Sequence, residues 1–112
     1  MTRAALVMLA CVACHRGGSS PDGPSSCVIE HEGGVTQCFE DVGDTAKVNG
    51  KKYCDEMRGE HTFRVGQPCP REGAIASCTK RAGTSYERVE RCYRDEDACR
   101  ARCEKSEGVF AK

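Results

Sequence analysis

Apolar and polar positions follow three successive patterns along this chain. Ala4 to Ala13 is an unbroken run of apolar and small residues behind a single charge, Arg3. His15 to Ser26 is dominated by Gly, Ser, Pro and Asp and has no apolar period, the composition of a flexible tether. From Cys27 the pattern becomes that of a folded unit. Cys27 to His31 and Val35 to Phe39 alternate on either side of Gly33 and Gly34, which predicts a β-hairpin. The period then lengthens: Ala46, Tyr53, Cys54 and Met57 share one face of a helix that Asp44 can cap and Gly59 can end, with Asn49 and Gly50 weakening its middle. The same succession returns downstream. Ala74 to Lys80 reads as a strand around Cys78, Gly83 marks a turn, Tyr86 to Tyr93 alternates, and Asp95 caps a helix that ends at Gly108.

These echoes predict a duplication. Cys54 and Gly59 are spaced like Cys103 and Gly108, and each glycine is followed by a short strand-like segment, around Phe63 in one case and Phe110 in the other. Cys38 with Phe39 and Asp41 looks like Cys92 with Tyr93 and Asp95. The expected fold is α+β: a small disulfide-rich domain of two hairpin-plus-helix (ββα) units sharing one antiparallel sheet. Its core would comprise Val28, Val35, Phe39, Tyr53, Met57, Phe63, Ile75, Tyr86, Val89 and Phe110.

Composition shows why such a unit needs covalent support. The 112 residues suffice for one domain, but only 38% are hydrophobic, 5% are aromatic and none is Trp. That is a thin apolar supply against the entropy of ordering the chain. Ten cysteines compensate, which implies an oxidising compartment. Seventeen basic residues balance seventeen acidic ones, so charge offers nothing to recruit nucleic acid.

The N-terminus has the form of an export signal, since its apolar run is too short to span a bilayer, which takes about 20 residues. Val12, Ala13 and Cys14 resemble a lipobox, giving a signal peptide over 1–13, a lipidated Cys14 opening a tether over 14–26, and a stapled domain over 27–112. Cys11, after Leu9 and Ala10, is the competing site. Parity favours Cys14: cleavage there discards Cys11 and commits Cys14 to lipid, leaving eight cysteines that can pair fully. Cys11, Cys14 and His15 also fit the Cys-x-x-Cys-His signature of c-type haem attachment, but the pattern falls across the end of the export signal, so no cofactor is expected. The eight are Cys27, Cys38, Cys54, Cys69, Cys78, Cys92, Cys99 and Cys103. The repeat groups Cys27, Cys38 and Cys54, and likewise Cys78, Cys92 and Cys103, with Cys69 and Cys99 as additions. Connectivity stays open.

The order Cys27, Cys38, Cys54 with Gly59, Cys69 with Pro70, Cys78, and Cys103 with Gly108 resembles small cysteine-rich lipoproteins of deltaproteobacteria, of the myxobacterial type. The resemblance implies an exported, lipid-anchored, disulfide-bonded domain and no particular reaction or ligand. Cys92 and Cys99 are an addition to that pattern.

Candidate chemistry is sparse. A zinc site could draw on Cys99 and Cys103, four apart on a helix, with His31 and His61, but disulfides are the expected use of cysteines in an exported domain. Glu30 with His31 and Glu60 with His61 pair an acid with a histidine, yet no motif supplies a nucleophile or an oriented base, so no catalytic residue is assigned. The expectation is a non-enzymatic cell-envelope protein held to the outer membrane by its lipid, with a membrane and an envelope protein as partners. The alternative is an inhibitor-like or ligand-capturing module, because Gln67, Pro68 and Pro70 surround Cys69 in a stiff loop whose preorganisation would favour binding.

Overall fold

A computed structural model describes residues 23–112. The signal segment, Cys11, Cys14 and the tether as far as residue 22 lie outside the described residues. The elements run β1 (Ser25–His31), β2 (Gly34–Asp41), α1 (Asp44–Asp55), β3 (Glu60–Arg64), β4 (Ala76–Lys80), β5 (Arg88–Cys92), α2 (Glu96–Lys105) and β6 (Val109–Ala111). The six strands form one antiparallel sheet in the order β3-β1-β2-β5-β4-β6. This is the small disulfide-rich α+β domain the alternation predicts. Each hairpin-plus-helix unit also contributes a third strand, β3 or β6, built around the Phe63 and Phe110 segments.

The register reveals how the halves relate. Cys27 lies opposite Phe39 and Phe63, while Cys78 lies opposite Glu90 and Phe110. Phe39 and Glu90 are therefore equivalent, and they face each other across β2 and β5. An approximate two-fold axis passes between them. This arrangement corrects one sequence echo: Cys38 corresponds to Val89, and Cys92 to Asp41, so Cys38 and Cys92 are not counterparts. They stand on opposite faces of the sheet.

Directly opposed residues share a face. Cys27, Phe39, Glu90 and Cys78 thus point the same way, and disulfides Cys27–Cys54 and Cys78–Cys103 fasten α1 and α2 to that face. Cys92–Cys99 adds a second tie between β5 and α2. Cys38 points to the other face and bonds Cys69 in the segment joining the halves. Each repeated triplet thus pairs two members internally and gives its third to one of the additional cysteines. All eight are essentially inaccessible to solvent. With Ile29, Phe39, Val28 and Ala76, six of them (Cys27, Cys38, Cys54, Cys69, Cys92 and Cys99) form three small clusters rather than one large core. Four bridges in so small a domain mark it as a protein of an oxidising, extracytoplasmic compartment. Among the described residues no helix is long and apolar enough to cross a membrane.

Several boundaries shift for physical reasons. Ser25 and Ser26, assigned to the tether by composition, open β1 and are buried opposite Asp41 and Glu40, so the folded unit begins before Cys27. The N-cap of α1 is Gly43 rather than Asp44, and a glycine has no side chain to make a capping bond. Gly43 abuts Ser85, where any Cβ would collide with the Ser85 carbonyl. Asp95 does cap α2, its Oδ1 accepting from the Ala98 amide at 3.1 Å. Tyr86 and Ile75, expected in the core, are 50% and 42% exposed. Alternation continues through both, but the ladders do not: β5 begins at Arg88 and β4 at Ala76.

Candidate functional site

The groove with the chemistry of a binding site lies where the two halves meet on the helical face. It begins with the turn after β4. Arg81 and Gly83 adopt left-handed backbone conformations (φ 53° and 78°). The turn is closed by bonds from the Thr84 amide and hydroxyl to the Arg81 carbonyl, and from the Gly83 amide to Glu87 Oε1 at 2.9 Å. So braced, the loop receives the start of α1. The Val42 and Gly43 amides donate to the Glu87 carbonyl, the Ala46 amide donates to the Ser85 carbonyl, and the Thr45 hydroxyl donates to Ser85 Oγ at 3.0 Å. One half therefore supplies the cap that the other half's helix lacks.

Between this loop and α1 is a groove of about 350 Å³ lined by Ala46, Tyr53, Lys80, Arg81, Tyr86 and Arg88. That volume suits a small molecule or a side chain. Arg88 forms its inner wall. Its Nε donates to Asp41 Oδ1 at 2.8 Å, and its guanidinium lies 5.0 Å from the Tyr53 ring centroid and 5.1 Å from that of Phe39. Asp41 is fully buried, and desolvation pushes its carboxyl above the usual range while the Arg88 cation pulls the other way. Asp41 Oδ2 and Arg88 Nη2 have no hydrogen-bond partner, so the pair is only half satisfied.

Lys80 reaches Glu90 Oε1 at 3.4 Å and stands 5.6 Å above Phe39. Glu90, 1% exposed, also accepts from Gln37 at 2.8 Å and from Arg102 at 3.0 and 2.8 Å. Its charge is thus shared among several donors. Arg81 differs from both other cations: it lies 5.6 Å from the centroid of Tyr86 and, among the described residues, has no carboxylate in ion-pair range.

The residues singled out by sequence lie elsewhere. Gln67, Pro68 and Pro70 cross the face opposite the helices, held at Cys38–Cys69. Arg64 donates twice to Gln67 Oε1, the Cys69 amide donates to Glu40 Oε1, and the Tyr93 hydroxyl donates to the Pro70 carbonyl at 2.6 Å. Arg91 completes the ion pair with Glu40 at 2.8 Å. Burial pushes the Tyr93 phenol above its usual range. The loop is stiff, but its prolines are half-buried, and its exposed surface belongs to Val65, Arg71 and Glu72.

The β1–β3 register sets Glu30 opposite Glu60 and His61 opposite Ile29, while His61 Nδ1 lies 3.0 Å from the Gly59 carbonyl. Among the described residues only Glu90, Cys92 and Cys99 bring three potential metal-ligating atoms together. Two of these atoms are bonded to each other in a disulfide, as are Cys99 and Cys103 to their separate partners, which removes the thiolates a zinc site would need. Comparison of the chain with protein-family models, with curated proteins and with solved structures returned no match.

Proposed function

We propose that this chain is an exported lipoprotein of the cell envelope, anchored through Cys14, whose stapled domain is a binding module without catalytic activity. The observation that supports it is the completeness of the cysteine pairing. The eight cysteines of the described domain bond one another, so none is left for Cys14 to pair with. Cys14 follows Val12 and Ala13 at the end of the apolar run, where a lipid-accepting cysteine belongs. The cysteine order resembling that of small deltaproteobacterial lipoproteins points the same way. Lipoprotein modification supplies more than one acyl chain, enough for stable attachment where a single chain binds marginally. The tether then lets the domain stand away from the membrane, which is the outer membrane on this reading.

The test is Cys14→Ser. The variant is expected to lose lipid and to shift from the membrane fraction to the soluble fraction, or to accumulate with its signal segment uncleaved. Unchanged processing and membrane retention in the variant would reject the anchor.

A further inference from the structure

We propose that the groove between α1 and the β4–β5 loop is a site for a monoanion carried on a flat apolar body, of which an aryl carboxylate is the simplest case. The proposal rests on the reading of the domain as a binding module and names what that module takes.

Charge is the first support. The cations in the groove and bonded to its carboxylates are Lys80, Arg81, Arg88 and Arg102, and they face Asp41, Glu87 and Glu90. The set carries one positive charge in excess, and Arg81 is the cation in it that has no carboxylate in ion-pair range among the described residues. Arg88 is committed to Asp41 through Nε and covered by Phe39 and Tyr53, and its unpartnered Nη2 is buried, so it contributes field rather than an accessible donor. Lys80 is bonded to Glu90 but keeps 29% of its side chain exposed, so its ammonium can donate to an entering anion as well. An anion would thus meet Arg81 and Lys80, at the mouth.

Shape and polarity are the second. Tyr53 and Tyr86 stand on either side of the cavity, and the fully buried Ala46 belongs to its lining. Tyr86 is half exposed on a loop that is fixed by five of its own hydrogen bonds, so its ring is presented to solvent by a rigid frame. Aromatic walls beside an unpaired guanidinium favour a flat body bearing a single carboxylate over a bare ion, since the body removes apolar surface from water while the carboxylate forms charge-assisted hydrogen bonds. The rigidity of the loop lowers the entropic cost of capture.

The experiment titrates the full-length protein, solubilised in a neutral detergent, with benzoate, with neutral benzamide and with acetate, following amide resonances of residues 80–88. Benzoate is expected to bind about tenfold more tightly than either of the others, the difference one charge-assisted hydrogen bond supplies. Arg81→Gln should abolish that advantage over benzamide. Tyr86→Leu should reduce benzoate toward acetate, and it provides the reading if Arg81→Gln disturbs the amide spectrum.

Equal binding of benzoate and benzamide, equal binding of benzoate and acetate, no binding of benzoate, or indifference to both substitutions would each overturn the proposal. None of these results bears on the membrane fractionation of Cys14→Ser. Failure of the anchor and failure of the groove are therefore separable.

Discussion

Replacing Cys38 and Cys69 together by serine is expected to lower unfolding free energy by about 4 kcal/mol, against about 2 kcal/mol for Cys92 and Cys99. The difference follows from the lengths of chain each bridge closes in the unfolded state, with sequence separations of 31 and 7. Cys27–Cys54 and Cys78–Cys103, with separations of 27 and 25, should fall just below the first. A loss of that size is a large part of the roughly 5 to 15 kcal/mol that stabilises a typical domain. Losing Cys38–Cys69 also releases the segment that covers Glu40, exposing a carboxylate now bonded to the Cys69 amide and Arg91. Urea unfolding of the paired-serine variants measures the order directly. Equal losses for the long and short bridges would show that native-state contacts, and not loop closure, dominate.

Gly50→Ala should destabilise the domain by about 2 kcal/mol, although alanine in a helix interior ordinarily gains close to 1 kcal/mol over glycine. Gly50 is buried in α1 directly above Asp41. A Cβ there would overlap Asp41 Oδ2, approach Asp41 Cγ to 3.0 Å and approach the Phe63 ring to 3.3 Å. The carboxylate cannot retreat without leaving Arg88, and Phe63 is held in the cluster of Cys27 and Cys54. Thermal unfolding should show a lowered midpoint for Gly50→Ala, and a smaller penalty for the same change in an Asp41→Ala background, where the obstructing atoms are gone. A stabilised Gly50→Ala would mean that α1 sits farther from the sheet than described.

Gly50 also shows where sequence reasoning reaches its limit. Within α1, Asn49 and Gly50 look like defects, because propensity registers only the helix itself. In the fold, Asn49 bonds back to the Thr45 carbonyl and Gly50 makes room for a buried ion pair contributed by two strands. The duplicated architecture was legible because it rests on local periods and on a cysteine-to-glycine spacing that recurs in both halves.

The equivalence of Phe39 and Glu90 was not legible, since chemically unlike residues occupy symmetric positions and register is set across strands. The resemblance of Cys38-Phe39 to Cys92-Tyr93 therefore misled. The groove was hidden for a related reason. Its walls come from α1 of one half and the loop of the other, and the alternation that placed Tyr86 in a strand runs past the point where β5 begins. The loop at Cys69 stood out because proline and cysteine are conspicuous in sequence, whereas an unpaired arginine is recognisable only once its neighbours are known.

The most direct test of the account is the intact mass of the protein recovered from membranes, taken before and after reduction. The expected species is a mature chain that begins at Cys14, carries a lipid adduct, and gains two hydrogens for each of four bridges on reduction. A chain that retains Cys11 and Cys14 with a haem-sized adduct, or one that takes up a thiol label before reduction, would contradict it.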